Sequence, residues 1–289
     1  WIFSRLAAVT RELAELYDGY DFDDASRLLY RFIWNEVCDW YLEVAKTRLY
    51  SDSEAERLAV SGNLLVLLEH VMIVLHPLMP FISEEVYGNL PQVQSGLRPP
   101  SLLEARYPEE PAAWRDQAAE DAMEAFTTVV SGLRSAREEL GLARDVTGKV
   151  HVFEAEPGAA AAIAGQSQAF RQLCGCELAG VVTVEKDKPQ GRYASIEGPG
   201  VIALLDLGGL VDVERERERL LAKAKKATAE GAKAETKLGN SGFVAKAPED
   251  VIAEIRERLS RSQAILEETR RQYMERIGEE LPMDGGPRS

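Results

Sequence analysis

The 289-residue chain is poor in the residues that build covalent frameworks and metal sites. Its three cysteines, Cys38, Cys174 and Cys176, are too few and too odd in number for a disulfide framework, which points to a reducing, cytoplasmic setting. The three histidines, His70, His76 and His151, supply no second pair to complete a zinc site with Cys174-Gly175-Cys176, so no metal is expected. No apolar run approaches the ~20 residues that span a bilayer, and Val71 to Leu75 soon reaches Pro77 and Pro80. No membrane partner is therefore expected. Charges interspersed through Trp1 to Leu16 argue against a secretion signal, and a start on Trp reads as a pattern begun midway in something longer.

Catalytic signatures are equally scarce. There is no GxxxxGK[ST] phosphate loop, no GxGxxG after a strand and no GxSxG elbow. Glu84-Glu85 and Glu138-Glu139 are adjacent carboxylates, which on a helix point about 100° apart and read as solvated surface. His70 and His76 flank a helix end, where histidine more often caps or packs than catalyses. No catalytic residue is assigned.

What the chain has in excess is negative charge, −14 overall, which excludes indiscriminate nucleic-acid binding. The charge is uneven. Residues 1 to 206 hold 18 basic and 32 acidic residues, while Leu207 to Leu281 is balanced at 15 of each. Within that C-terminal stretch, Arg215 to Lys237 has eight basic and four acidic residues. A positive stripe on an acidic body directs RNA to one face.

The periodicities predict a mainly α protein in three parts and a tail: an antiparallel helical bundle over 1–140, a small α/β domain over 141–208, an antiparallel two-helix coiled-coil arm over 209–281, and a disordered tail over 282–289. In the bundle, Leu6, Val9, Leu13 and Leu16 form one apolar stripe. A second helix is expected from about Ala25 to Arg48 behind Asp21, Asp23 and Asp24, with Phe32 and Trp40 in the core. A third is expected from Ser53 to Leu75, a short one over Phe81 to Leu90, a loop over Pro91 to Pro111, and a last helix from about Ala112 to Leu140. The α/β part reads as a strand at Val150 to Phe153, a helix at Ala159 to Leu173, and strands at Leu178 to Val184, Tyr193 to Ile196 and Val201 to Leu207, with Gly198-Pro199-Gly200 as a turn.

The arm is the most regular part. Leu210, Val213, Arg217, Leu220, Ala224, Ala227, Gly231, Ala234 and Leu238 make one heptad series. Ile252, Ile255, Leu259, Ser262, Leu266, Thr269 and Tyr273 make another. Gly239-Asn240-Ser241-Gly242 breaks the helix between them, and Pro248 opens the second. Alanines on one strand predict a close approach of the two helices.

Candidate RNA contacts follow from local chemistry. Arg27, Arg31 and Lys46 share a helix with Trp34, Trp40 and Tyr41, and cations pair with phosphates while aromatics stack on unpaired bases. Arg134 and Arg137 lie near the end of the bundle's last helix. On the arm the candidates are Arg215, Arg219, Lys223, Lys226, Lys233 and Lys237. The competing reading is a coiled-coil protein-interaction module without RNA binding, which needs a second apolar stripe that the arm lacks.

The segment Leu29-Tyr30-Arg31-Phe32-Ile33-Trp34-Asn35-Glu36-Val37-Cys38-Asp39-Trp40-Tyr41-Leu42-Glu43, with Lys46 following, resembles the anticodon-binding domain of class I tRNA synthetases for valine, isoleucine and leucine. His76-Pro77-Leu78-Met79-Pro80-Phe81-Ile82-Ser83-Glu84-Glu85 resembles the same domain's second signature. Gly239-Asn240-Ser241-Gly242-Phe243-Val244-Ala245-Lys246-Ala247-Pro248 is similar to the hairpin turn of the valyl enzymes' C-terminal coiled coil.

The resemblance implies the C-terminal part of a valyl-tRNA synthetase, which ligates valine to its tRNA with ATP. The bundle would hold the anticodon stem and loop, through Arg27, Arg31, Trp34, Asn35, Lys46, Arg134 and Arg137. The arm would lean on the outer corner of the tRNA through Arg215, Arg219, Lys223, Lys226, Lys233, Lys237 and Lys246, mostly by shape and backbone. The family's HIGH and KMSKS signatures, which bind ATP, are missing here. The chain alone is therefore expected neither to aminoacylate nor to hold a cofactor, ATP belonging to the catalytic domain. In the family a further helix precedes the tryptophan matching Trp1, so the bundle is expected to lack one wall of its site. The implied partner is valine tRNA, and the implied parent is a monomeric cytoplasmic ligase.

Overall fold

The computed structural model describes residues 1–91, 98–108, 112–143, 145–154, 159–182, 191–245 and 247–282. They fall into two compact units: Trp1–Val130 with Glu156–Cys174 and Gly198–Val201, and Ser131–Ala155 with Gly175–Glu197 and Ile202–Ser289. The expected disordered tail lies, apart from Pro282, outside the described residues.

The first unit is a helical bundle built from α1 (Ile2–Asp18), α2 (Phe22–Tyr30), α3 (Leu42–Leu49), α4 (Glu54–Leu75), α5 (Pro80–Asn89) and the first half of α6 (Gln117–Glu139). The starts have local causes. The Asp21 carboxylate accepts from the Asp24 amide, and the Ser53 hydroxyl accepts from the Glu56 amide, each satisfying a free helix-end donor. Pro80 sits in the first turn of α5, where its missing N–H leaves no gap. Leu6, Leu13, Phe32, Leu67, Val74 and Tyr87 are buried together at the centre. Phe32 is thus in the core as expected, whereas Trp40 is only half-buried.

Four features depart from the sequence reading. The expected helix from Ala25 to Arg48 is present but not uniform: Arg31–Tyr41 between α2 and α3 is wound as a π-helix, with the Leu42 amide reaching the Val37 carbonyl five residues back. Such turns are uncommon beyond one turn and are frequent at functional sites. Second, α4 is long and apolar enough to cross a membrane by length and composition, which corrects the expectation that no stretch approaches that length. In the bundle its Val60, Leu67, Val71, Met72 and Val74 are buried, while Leu58 and Val66 are exposed. The expected helix from Ala112 begins instead with a single 3-10 turn, Ala112–Trp114, before α6 proper. The first unit also holds α7 (Ala159–Gly165) and α8 (Ser167–Cys174), which divide the single expected helix at Gly165-Gln166.

The second unit contains the end of α6, a four-stranded sheet and the arm. The sheet is ordered β2-β1-β4-β3, from β1 (Gly148–Glu154), β2 (Cys176–Val182), β3 (Tyr193–Gly198) and β4 (Val201–Asp206). β1 and β2 run parallel, with Gly148 opposite Cys176 and a register shift between Val150 and His151. Helix α6 approaches β3 at Gly132, where an added Cβ would lie 2.3 Å from Ile196 Cγ2.

The arm is α9 (Val213–Gly239), a four-residue turn α10 (Ser241–Val244) and α11 (Glu249–Ile277). Asp212 caps α9 by accepting from the Glu214 and Arg215 amides, and Asn240 caps α10. Of the heptad series, Leu220, Ala224, Ala227, Gly231 and Ala234 are buried with Ile255, Ser262, Thr269 and Tyr273, whereas Leu210, Val213, Arg217, Leu238, Ile252, Leu259 and Leu266 are half-buried. The seam is tight at its middle, because a Cβ on Gly231 would lie 3.0 Å from Ser262 Oγ.

Candidate nucleic-acid interface

In the first unit the π-wound segment carries the aromatic candidates. Trp34 is 56% exposed, and its ring lies parallel to that of Tyr30, 63% exposed, with centroids 6.2 Å apart and planes 5° from parallel. Tyr20, Phe22, Tyr50 and Phe81 of the bundle are exposed as well; what sets Tyr30 and Trp34 apart is that their rings lie parallel, an arrangement that can accept a third flat ring. Tyr30 escaped the sequence reading; its four-residue spacing from Trp34 on one helix face was the available signal.

The charged candidates of this unit divide. Arg31 is exposed beside Tyr30, and both line a shallow hollow with Asp24, Ser26 and Arg27. Arg27 is exposed but paired with Asp23 and Asp24, so it presents little net charge. Lys46 is paired with Glu43. Asn35 is exposed on a groove that also holds Glu36, Glu120, Asp121 and Glu124 against the single Arg5, an environment that repels phosphate.

In the second unit, Arg134 is exposed near the end of α6. Arg137, three residues on, is buried. Its guanidinium donates to the Gly175 carbonyl at 3.1 Å and the Ala143 carbonyl at 2.9 Å. It ties the start of β2 to the end of α6 and offers no face to a ligand.

The arm's cations also fall into two groups. Near the root they are used internally. Arg219 donates to Glu216 at 2.7 Å and to Glu139 at 2.9 Å, and its hydrogen bonds to Glu216 hold it protonated above its ordinary range. Lys223 donates to Glu139 at 3.3 Å and to Gln272 at 3.2 Å. Arg276 Nη1 reaches Glu216 at 2.9 Å with both side chains buried. Arg217 makes a two-pronged contact with Glu279, at 2.7 and 2.9 Å.

The second group is free. Arg215, Lys226, Lys233 and Lys237 are exposed, and none has an ion-pair partner among the described residues. At about 100° per residue they fall within roughly 40° of one another around α9, one stripe to the side of the seam. Lys246, the last arm candidate, lies outside the described residues. Towards the far end, Lys233 and Lys237 line a groove together with Arg258 and Arg261 of α11, with Glu230 the one carboxylate in its lining. The sequence reading missed Arg258 and Arg261. They flank the buried positions Ile255 and Ser262, where a coiled coil places charges, and among the described residues each is paired with a glutamate four residues back, at 3.1 and 2.6 Å. Such exposed pairs contribute little and exchange readily for another anion.

An open aromatic stack on a helical bundle and a cationic stripe on a coiled coil are features that RNA-contacting helical proteins use. Residues 1–152 match the family described as the anticodon-binding domain of tRNA ligase, and residues 212–277 match the one described as the valyl tRNA synthetase tRNA binding arm. The chain belongs to the family of the anticodon-binding domain of tRNA ligases. It is 33% identical to the valine–tRNA ligase of Thermotoga maritima over 260 residues, which is 90% of this chain and 28% of that protein. It is 34% identical to the valine–tRNA ligase of Symbiobacterium thermophilum over 274 residues, 89% of this chain and 30% of that protein. It is 35% identical to that of Geobacter sulfurreducens over 265 residues, 90% and 29% respectively. The chain thus spans under a third of the length of the curated relatives it matches.

Proposed function

We propose that these 289 residues are the tRNA-binding part of a valine–tRNA ligase. The bundle takes the anticodon arm, with the Tyr30–Trp34 stack receiving an unpaired base and Arg31 a neighbouring phosphate. The coiled coil takes RNA backbone along Arg215, Lys226, Lys233 and Lys237. Ligation of valine with ATP belongs, on this reading, to sequence outside these residues, and the working setting is the cytoplasm. Of the sequence candidates, Arg137 serves the fold, and Arg219 and Lys223 serve the root of the arm.

The observation that carries the reading is the free cationic stripe on α9, set on a chain whose net charge is −14. Phosphate contacts of this kind position RNA without reading its bases and make affinity fall steeply with salt. The alternative, an arm that pairs with another protein, needs a second apolar stripe. Among the described residues the large apolar side chains exposed on the arm helices are Ile265 and Met274, nine residues apart, and they make no stripe.

The test is a fluorescence-anisotropy titration of the chain with valine tRNA at two salt concentrations. Binding at low salt that weakens steeply as salt rises is expected. No binding at low salt overturns the reading.

A further inference from the structure

The root of the arm is built from charge where a coiled coil ordinarily uses apolar side chains. Its apolar cluster is small, with Leu220, Tyr273 and Ile277 buried. Around it stand two carboxylates, Glu139 and Glu216, and three cations, Arg219, Lys223 and Arg276. Four of these five belong to the arm. The exception is Glu139, the last residue of α6.

Its carboxylate collects Arg219 at 2.9 Å and Lys223 at 3.3 Å from α9, and Arg276 at 3.4 Å from α11. Burial pushes the Glu139 carboxyl up, but Arg276, Arg219 and Lys223 together outweigh burial and hold it below its ordinary value. It is therefore an anion at neutral pH. One side chain of α6 thus grips both arm helices at once.

The energetics make mere stabilisation a poor account of this arrangement. Taking charges out of water offsets most of their mutual attraction, and apolar residues of the same volume often hold as well or better. What charged hydrogen bonds add is direction, because they are angular, whereas apolar contacts let helices slide. Higher up, Ala224, Ala227, Gly231, Ala234, Ser262 and Thr269 are buried in the seam between the two arm helices, and Arg271 of α11 adds a surface tie to Glu197 on β3 at 2.8 Å.

We infer that Glu139 is a positioning residue, the shared acceptor through which the end of α6 fixes the direction of the arm and so the place where its free cations meet RNA. The second half of this statement rests on the proposed function; the first does not.

The experiment uses the full chain with Cys38→Ser as background, and nitroxide labels on cysteines placed at Ser135 and Thr236, both exposed, one on α6 and one near the far end of α9. Pulsed electron–electron resonance should give one narrow distance distribution in the parent and a clearly broader one in Glu139→Gln, with the circular dichroism spectrum unchanged. Glu139→Asp, which keeps the charge but withdraws the acceptor, should fall between, and serves alone if the Gln variant does not fold. An unchanged width in the folded variants overturns the positioning role. Valine-tRNA titrations of the same proteins without labels should show affinity falling about tenfold in Glu139→Gln, as expected for lost preorganisation. The salt slope should stay the same, since no phosphate-binding cation is removed. A broadened arm with unchanged affinity overturns the link to RNA. A parent that binds no tRNA overturns the proposed function, while the distance measurement still decides the role of Glu139.

Discussion

Arg276 on α11 donates to Glu216 on α9 at 2.9 Å, and both side chains are closed off from water. Such a pair is sound only as a pair. Glu216→Leu should lower the stability of the arm by about 3 kcal/mol, because Arg276 would keep only its longer contact to Glu139 and Arg219 would lose its two shortest bonds. The double variant Glu216→Leu with Arg276→Met should lose less than the single one, since no charge is then stranded. Urea unfolding followed by circular dichroism measures both. A double variant less stable than Glu216→Leu would mean that Arg276 is not stranded when Glu216 is lost.

The seam makes a sharper steric prediction. Gly231→Ala gains about 1 kcal/mol of helix propensity but sets a methyl 3.0 Å from Ser262 Oγ, so the two effects should roughly cancel. Ser262→Ala removes that oxygen and leaves its Cβ 3.8 Å from the new methyl, ordinary contact. The combined variant should therefore melt above the parent. Gly231→Leu cannot be housed and should destabilise the arm by about 1–3 kcal/mol. Thermal melts of the four proteins test the order, and a Gly231→Leu variant as stable as the parent would mean the helices are not this close.

These contrasts show what the sequence can and cannot carry. Ala224, Ala227, Gly231 and Ala234 were legible as seam because their seven-residue rhythm is all that a long helix pair needs. Glu216, Gln272 and Arg276 were not, since a charged or amide side chain on a helix reads as solvent-facing until its partner is known, and the partners of Arg276 lie 60 residues or more away in sequence. Arg137 looked like any basic residue near a helix end until the Gly175 and Ala143 carbonyls were in place around it. The π-winding of Arg31–Tyr41 is a change in hydrogen-bond register that leaves residue types untouched. Asn35 was legible as helical but not as part of an acidic groove, because Glu120, Asp121 and Glu124 come from a helix some 85 residues later in the chain.

Alkaline pH should act on the bundle through two phenols. Tyr17 donates to the Val74 carbonyl at 2.8 Å, a free acceptor at the end of α4, and Tyr107 donates to the Thr10 carbonyl at 2.8 Å. Burial pushes the Tyr17 phenol up to about 12, and burial with Tyr17 beside it pushes the Tyr107 phenol up as well. A pKa raised in the folded state means the stabilisation is complete below the ordinary value near 10 and is lost as pH climbs from there through 12. Melting temperature should thus be flat to about pH 10 and fall beyond it. Tyr17→Phe, which leaves the Val74 carbonyl bare, should cost about 1–3 kcal/mol at pH 7 and flatten the alkaline decline. Thermal melts between pH 7 and 12 check this, and a parent insensitive to pH over that range would contradict it.

The aromatic stack and the cationic stripe should leave different marks on RNA binding. Trp34→Ala removes one face of the Tyr30–Trp34 pair and no charge. It should weaken valine-tRNA binding by about 1–3 kcal/mol, the usual worth of one base stacked on a ring, at every salt concentration alike. Trp34→Tyr keeps a ring and should recover much of that. Lys233→Gln removes a charge and no ring, so it should weaken binding most at low salt and reduce the slope of log affinity against log salt by about one. Anisotropy titrations across a salt series, with an isolated anticodon stem-loop run alongside, separate the two. The stem-loop should lose affinity with Trp34→Ala and be indifferent to Lys233→Gln. A stem-loop indifferent to Trp34 would remove the stack from the interface, because two exposed rings that no base covers would then serve nothing in RNA recognition.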